Sequence, residues 1–270
     1  MSAENDRVTI HETAIVDSDA EIAEGCSVGP FSIIEGDVKI HRGTVIESHV
    51  LIRDGTTIGE DCHIHHGAVI GSIPQDLKFK GEKTSLVIGN RTVVREYATI
   101  NRGTKVNWKT SIGDDCLIMA YVHVAHDCEI GRHVILANNV SLAGHVVIED
   151  YATLGGLVPV HQFTRIGQHS FVGGGSRVTQ DVPPFIKVAG EPLRPVGLNI
   201  GRGPFGPVGL EKHGFSTDTI ELLKKAYRIL FRSNLNTSQA IERIRAEIEE
   251  TPEICALLTF IERSERGIVK

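Results

Sequence analysis

Aliphatic side chains recur at every sixth residue from Ile10 to Val178. Of the 29 positions at this spacing, only Asp76 and Glu82 are not Ile, Val or Leu. The position four residues after most of these aliphatics carries a small or β-branched side chain, Ala14 being the first. A fixed hexapeptide period predicts a parallel β-helix.

The physics of a strand explains why this period makes a coil. Side chains alternate along a strand, so two inward residues lie two positions apart. Here the inward positions are spaced by four and then two, so each hexad makes one short strand and one corner. The coils stack at the strand spacing of about 4.8 Å, and each buries the apolar layer of its neighbour. An amphipathic helix needs a 3.6-residue period, and a β-sandwich needs irregular turns about 8–12 residues apart.

The repeat also predicts how the chain is divided. We expect an all-β solenoid over residues 1–190 and a connecting segment with a helical domain over 191–270. External loops are expected at about 72–87, where the period fails, and at 101–111, which holds the only Trp. Loops that project from a solenoid cost little stability and often carry binding groups.

The tail from about Ser216 changes to helical spacing. Either Ser216 or Thr217 is expected to cap the first helix, and a second helical segment follows. Thr251 followed by Pro252 predicts the start of a third helix. The first helix carries basic residues that suit docking of an acidic protein. They are Lys224, Lys225, Arg228 and Arg232.

Composition narrows the class of protein. Aromatic residues make up 5% of the chain, as expected for a core of stacked Ile and Val. The net charge of −6 argues against a nucleic-acid surface. The first residues lack the apolar region of a secretory signal, and no apolar run is long enough to span a bilayer. We therefore expect a cytoplasmic protein that is not an integral membrane protein.

The cysteines are expected to be structural. Four of the five fall on the small inward positions, and they are Cys26, Cys62, Cys116 and Cys128. Inward thiols neither form disulfides in a reducing cytoplasm nor reach a substrate as nucleophiles. Cys255, in the helical tail, is expected to pack as well. We expect no metal and no cofactor.

Outward histidines supply the candidate chemistry. His123, His126, His145 and His161 all lie off the inward positions. If solenoids pack side by side, a cleft between two flat faces could gather them. Six earlier histidines also lie off the inward positions and are expected to be surface groups without a role. They are His11, His41, His49, His63, His65 and His66.

Four segments resemble a known family. They are HVAHDCEIG from His123, LANNVSLAGHV from Leu136, GGLVPVHQF from Gly155 and QDVPPF from Gln180. Together they resemble the UDP-N-acetylglucosamine acyltransferases, which start lipid A synthesis in Gram-negative bacteria. The resemblance covers nearly the whole chain and implies a left-handed parallel β-helix, a homotrimer and active sites between subunits. In this family an acyl chain, usually 3-hydroxylated, moves from acyl carrier protein to the 3-OH of UDP-N-acetylglucosamine.

Such a transfer needs a base, because a free hydroxyl is a weak nucleophile. His126 is the candidate, since its reference pKa near 6.5 suits proton transfer around neutrality. The resemblance matches the family's catalytic histidine to His126 and its orienting partner to Asp127. It also implies that the backbone N–H of Gly144 stabilises the oxyanion. With no exposed Cys or Ser elbow, direct transfer is favoured over a covalent acyl-enzyme.

The resemblance also implies residues that bind the substrates. Asp76 and Lys78 of the first loop would contact the sugar and the pantetheine. His123 and His145 would line the sugar pocket.

Further contacts would serve the donor and the nucleotide. Gly156, His161 and Gln162 match donor or nucleotide contacts. Gly174 matches the position that measures the acyl chain in this family. A glycine leaves the groove open, so we expect a chain of hydroxymyristoyl size.

The chain departs from the family after Asn199, which resembles a nucleotide contact. Residues 201–207 look like an insertion rich in Gly and Pro. The family's paired arginines align with Lys212 and His213. A Lys can meet a phosphate as a point charge, but it cannot bind bidentately.

Several alternatives stay open. The acceptor could be a 3-amino UDP-sugar, which would give an amide. A β-helical zinc carbonic anhydrase would use an H-x4-H pair, and no two histidines here have that spacing. The N-acyltransferase that acts later in the same pathway carries a further N-terminal domain, whereas the hexads here begin at Ile10. An acetyl-CoA-dependent acetyltransferase and a purely structural solenoid fit the histidine motifs less well.

Overall fold

The structure, a computed structural model, describes residues 7–200 and 209–270. The insertion predicted at 201–207 lies outside the described residues. The described residues form 27 strands and three helices. The strands are β1 (Thr9–Ile10), β2 (Ile15–Val16), β3 (Glu21–Ile22), β4 (Ser27–Val28), β5 (Ile33–Ile34), β6 (Val38–Ile40), β7 (Val45–Ile46), β8 (Leu51–Ile52), β9 (Thr56–Ile58), β10 (His63–Ile64), β11 (Val69–Ser72), β12 (Ser85–Ile88), β13 (Val93–Val94), β14 (Thr99–Asn101), β15 (Lys109–Ile112), β16 (Leu117–Ile118), β17 (His123–Val124), β18 (Glu129–Ile130), β19 (Ile135–Leu136), β20 (Ser141–Leu142), β21 (Val147–Ile148), β22 (Thr153–Leu154), β23 (Pro159–Val160), β24 (Arg165–Ile166), β25 (Phe171–Val172), β26 (Ile186–Ala189) and β27 (Arg194–Leu198). The helices are α1 (Thr217–Arg232), α2 (Thr237–Glu247) and α3 (Pro252–Glu262).

Every third strand pairs in parallel, so the strands form the three sides of a prism. The first sheet runs β1-β4-β7-β10-β13-β16-β19-β22-β25-β26-β27, the second from β2 to β23 and the third from β3 to β24. The register pairs equivalent aliphatic residues of successive coils. Ile64 lies opposite Ile46 on one side and Val94 on the other. The last pair, β26 and β27, is antiparallel. The predicted left-handed parallel β-helix with C-terminal helices is confirmed.

The hexapeptide aliphatics fill the prism. Ile64 and Ile118 are fully buried, as are most other members of the series. The four cysteines on the small positions are buried and free, as predicted. Burial raises the pKa of the Cys128 thiol to about 12, which makes it a poor nucleophile. The expectation for Cys255 is wrong: this residue is exposed, because α3 turns a different face, including Ile254 and Leu258, towards the core.

Two segments leave the prism between coils. The first lies between β11 and β12, and the second between β14 and β15. Ile70 and Ile88 are 18 positions apart, and Ile100 and Ile112 are 12 apart, so each insertion is a multiple of six. The sequence period is therefore preserved across both loops.

Val106 keeps the sequence period although it does not face the interior. The residue sits on the hexapeptide series, yet it lies in the second loop with 64% of its surface exposed. The prediction that the inward series passes through Val106 is wrong, because the loop replaces that coil segment. The next inward aliphatic is Ile112, in β15.

The helix α1 packs against β27, and α3 lies beside the later coils, where Arg165 of β24 lies over the ring of Phe260. Ser216 caps α1 by accepting a hydrogen bond from the N–H of Thr219, and Thr251 caps α3 with Pro252 at its first position. Both predicted caps are confirmed. Among the described residues, no helix is long and apolar enough to cross a membrane.

An aromatic ladder on one corner joins the two parts. The ring of Tyr151 stacks on that of His169 at 4.6 Å. Burial, and then the neighbouring His213, lower the pKa of His169 to about 4. The Nδ1 atoms of His169 and His213 lie 2.9 Å apart, within hydrogen-bond distance. The segment before α1 is thereby attached to the last coils of the β-helix.

Truncation of an inward aliphatic should be costly. Ile64→Ala removes a fully buried side chain and should lower the free energy of unfolding by about 2–5 kcal/mol. Val106→Ala is the matched control, because Val106 shares the sequence period but is exposed, and it should stay within about 0.5 kcal/mol. Urea unfolding at fixed protein concentration measures both. Equal losses of unfolding free energy in the two variants would contradict the conclusion that Ile64 faces the interior and Val106 faces solvent.

Candidate active site

His126 lies just after β17, at the corner between the second and third sheets. Its side chain is 14% exposed, and its Nδ1 lies 2.8 Å from Oδ2 of Asp127. Asp127 adopts a left-handed backbone conformation with φ of 59°. That turn places two consecutive side chains on the same outer edge, where a regular strand would send them to opposite faces.

Asp127 is a buried carboxylate with several hydrogen-bond donors. Its Oδ1 accepts from the N–H of Thr104 at 2.9 Å, and its Oδ2 accepts from the Thr104 hydroxyl at 2.7 Å. The N–H of Asn107 adds a longer bond of 3.3 Å. Burial works to raise the pKa of Asp127, but the hydrogen bonds from Thr104 and His126 outweigh it and hold the pKa below its usual value. Asp127 is therefore an anion that fixes the imidazole of His126.

The second external loop supplies these donors, which the sequence did not reveal. Thr104 is buried, although it lies in an insertion with no periodic signal. The one sequence clue is that Asp127, next to the candidate base, needs donors if it is buried. Nothing in the sequence says which loop provides them.

His145 and Gly144 lie one coil above His126. The ring of His145 meets that of His126 edge-on at 5.2 Å and stacks on Phe163 at 4.5 Å. A Cβ on Gly144 would lie 2.5 Å from Cε1 of His126, so only glycine fits without displacing the imidazole. The N–H of Gly144 has no acceptor in the part of the chain that the structure describes. It is thus available to a ligand beside the ring.

His123 and the first loop complete this cluster. The Nδ1 of His123 lies 2.7 Å from the Thr99 hydroxyl. Burial, and then the neighbouring His126, lower the pKa of His123. Burial also lowers the pKa of His145, against the opposing charges of Asp127 and Asp76. The carboxylate of Asp76, on the first loop, is thus near enough for its charge to act on the pKa of His145.

Other predicted residues lie around this cluster or away from it. Lys78 is exposed on the first loop, and its N–H donates to Asp76 Oδ1. His161 and Gln162 are exposed near the cluster, in the turn before Phe163. Asn199 is buried, and its side-chain amide donates to the carbonyl of His169 at 3.0 Å.

The nucleotide residues are thus not gathered with the base in one chain. Lys212 is exposed in the segment before α1. His213, aligned with the second family arginine, contacts Tyr151 and His169. The segment could meet a nucleotide only at a distance from His126, or in a neighbouring chain.

An apolar groove lies on a different side of the prism. It has a volume of about 720 Å³ and opens on the first sheet between β16 and β26. A Cβ on Gly174 would lie 3.1 Å from the carbonyl of Gly156, so the wall has little room for a side chain. Its lining includes Met119, Ile135, Ala137, Gly156, Phe171 and Gly174.

Two groups of side chains could hold a metal ion among the described residues. One is His126, Asp127 and His145, and the other is Glu47 with His63 and His65. In the first group the Nδ1 of His126 and both oxygens of Asp127 already have hydrogen-bond partners. The Nε2 of His126 has no partner among the described residues and is free to accept a proton.

Models of protein families match two parts of the chain. The model described as UDP N-acetylglucosamine O-acyltransferase, domain 2, matches residues 181–269. The model described as bacterial transferase hexapeptide (six repeats) matches residues 37–72 and 109–144.

Relatives of this family match nearly the full length. The Acyl-[acyl-carrier-protein]–UDP-N-acetylglucosamine O-acyltransferase of Thermodesulfovibrio yellowstonii is 50% identical over 97% of this chain and 99% of its own. The solved structure of LpxA from Acinetobacter baumannii matches with a TM-score of 0.91 and 42% identity, over 97% of this chain and 99% of its own. The UDP-N-acetylglucosamine acyltransferase of Francisella novicida matches with a TM-score of 0.91 and 38% identity, over 97% and 94%. By sequence and by fold, this chain belongs to the UDP-N-acetylglucosamine O-acyltransferase family.

Proposed function

We propose that this protein transfers an acyl chain from acyl carrier protein to the 3-hydroxyl of UDP-N-acetylglucosamine, with His126 as the general base. The observation that carries the role of His126 is its pairing with a buried anion. Asp127 holds one ring nitrogen at 2.8 Å, while the other has no partner among the described residues. This is the arrangement that an O-acyltransferase needs to activate an alcohol.

The geometry defines the proton transfers. The Nδ1–H of His126 donates to Asp127, so Nε2 carries the lone pair. Nε2 takes the proton of the sugar hydroxyl as its oxygen attacks the thioester carbonyl. The tetrahedral intermediate places negative charge on the carbonyl oxygen, and the N–H of Gly144 stabilises it. When the C–S bond breaks, the imidazolium returns the proton to the departing thiolate.

The surrounding side chains suit a sugar pocket. His123 and His145 are both held neutral by burial, so they can donate or accept without adding charge beside the base. Asp76 lies on the first loop, where its charge acts on His145 and its carboxylate can bind a sugar hydroxyl. Lys78 extends from the same loop and suits the phosphate of a pantetheine arm.

The groove on the first sheet suits the acyl chain. Its walls are apolar, and glycines at 156 and 174 keep it open. The family transfers long acyl chains, and an unobstructed groove can hold a hydroxymyristoyl tail. A side chain at Gly174 would project into this space.

Two features support a trimer with shared sites. The groove opens on the first sheet, whereas His126 lies at the corner of the second and third sheets. An acyl chain in the groove of one chain could therefore reach His126 of a neighbour. The corner beside the groove also exposes large apolar side chains, as expected for an interface. They are Phe31, Tyr97, Tyr121 and Leu157.

The C-terminal region carries side chains suited to binding acyl carrier protein and the nucleotide. The basic residues of α1 can attract the acidic acyl carrier protein, although Lys224 also pairs with Glu221 at 2.5 Å. Lys212 remains exposed for a diphosphate, and His213 replaces an arginine with a ring held against His169. We expect nucleotide binding to depend on Lys212 more than on His213.

Loss of the base should nearly abolish turnover. His126→Ala should lower kcat about 10²–10⁴-fold, measured with 3-hydroxyacyl-carrier protein and either UDP-N-acetylglucosamine or its 3-amino analogue by mass spectrometry. Thr104→Val should lower kcat less and leave KM for the sugar nearly unchanged, because Thr104 acts through Asp127. His41→Ala is the control, since its side chain is exposed on an early coil. Full activity of His126→Ala would refute the proposal, and faster turnover of the amino sugar would reassign the acceptor.

The groove should select the length of the chain. Across a series of acyl donors, the unaltered protein should prefer hydroxymyristoyl, and Gly174→Met should shift the optimum towards hydroxydecanoyl. The physical reason is that a methionine side chain at 174 fills part of the groove that Gly174 lines. Ile33→Met, on the exposed face of an early coil, is the control. A hydroxydecanoyl optimum before substitution would contradict the open groove.

Mixed trimers should test whether sites are shared. His126→Ala chains and Gly174→Met chains, co-expressed with different tags and purified through both, should regain hydroxymyristoyl transfer. Each mixed trimer purified through both tags has one of its three interfaces with an intact base facing an open groove, so about a third of the sites should be active. Mixtures of His126→Ala with Asp127→Asn serve as the control, because both changes damage the same half-site. Recovery no greater than that control would place the whole site within one chain.

A further inference from the structure

A second histidine cluster lies at β10 on the first sheet, two coils before the coil that carries His126. Oε1 of Glu47 is 2.9 Å from Nε2 of His63 and 3.0 Å from Nδ1 of His65. The rings of His63 and His65 stack with centroids 3.9 Å apart. From the sequence these histidines were expected to be surface groups without a role. Instead they converge on one carboxylate oxygen.

The β-helix itself makes this convergence rigid. His63 and His65 flank the inward Ile64, so both point outward on the same face. Glu47 lies on the neighbouring coil, because β7 pairs with β10 and Ile46 lies opposite Ile64. The other oxygen of Glu47 accepts the N–H of His66 at 3.1 Å, which fixes the orientation of the carboxylate. Three donor groups are thus positioned by backbone that cannot shift without breaking the register.

We propose that Glu47, His63 and His65 bind a divalent transition metal, with zinc as the best fit. Two imidazoles and one carboxylate form a recognised zinc ligand set that leaves a fourth position for water. All three ligand atoms lie within 4.8 Å of one another. Zinc with Zn–N and Zn–O bonds of about 2.0–2.2 Å would sit among them once the two rings tilt out of their stack. Exposure of 40% for the side chain of His63 leaves room for that movement.

The surroundings favour this cluster over the one at the base. Both oxygens of Asp127 already accept hydrogen bonds from Thr104 and His126, whereas Oε1 of Glu47 meets only the two imidazoles. Glu96 lies 3.7 Å from His65 but is paired with Arg95 at 2.9 Å, so it contributes charge without becoming a ligand. A bound ion would cross-link two adjacent coils and stabilise the N-terminal half of the prism.

Equilibrium dialysis of the full chain against zinc, after treatment with a chelator, tests the proposal. We expect about one zinc per chain with a micromolar or tighter Kd, and a higher Tm in its presence because the ion binds the folded state. The double variant His63→Gln/His65→Gln should lose both the bound zinc and the shift in Tm. His126→Ala should retain both, which separates this site from the catalytic cluster.

A matched control uses other outward histidines. His11→Gln/His41→Gln removes two exposed imidazoles from the same half of the β-helix and should leave zinc binding unchanged. The proposal is overturned if the unaltered chain binds no zinc, or if the His63/His65 variant binds as much as the control. Because the readouts are bound metal and Tm, neither outcome depends on the acyltransfer assay.

Discussion

The direct register between coils is the constraint on which the rest of the structure depends. Each inward aliphatic lies opposite the equivalent residue of the next coil, as Ile46, Ile64 and Val94 do. Parallel pairing on all three sides keeps outward residues in fixed columns about 4.8 Å apart. A side chain on one coil therefore meets a predictable partner on the next. The core thus organises the surface as well as the interior.

The candidate site at His126 is built from one of these columns and from the second loop, which interrupts the repeat. The column of Asp127, His145 and Phe163 follows from the register, and all three adopt left-handed backbone at the corner. The coil itself supplies Asp127 with the imidazole of His126, and the second loop adds the N–H and the hydroxyl of Thr104. An unpaired charge at Asp127 would be costly, so the environment of the proposed base depends on a departure from the repeat.

Columns of outward residues form two histidine clusters, which differ in how buried the carboxylate is and in how many donors it already has. At His126 the carboxylate is buried and saturated, which leaves an imidazole nitrogen as the reactive atom. At Glu47 the carboxylate is half-exposed, and the imidazoles of His63 and His65 share one oxygen. Similar residues thus favour proton transfer in one place and metal binding in the other, because the number of competing donors differs.

The sequence by itself determined the fold and the division into inside and outside, and it supplied the candidate for the base. A period of six is local information, and the motif around His126 is contiguous, so both can be read without coordinates. Only the tertiary structure decided the roles of Thr104 and Val106 and the pairing of Glu47 with His65. These depend on where an inserted loop returns and on which side chains meet across coils 18 or more residues apart. A one-dimensional pattern shows that a residue faces outward, but the neighbours it finds there are set by the stacking of the whole solenoid.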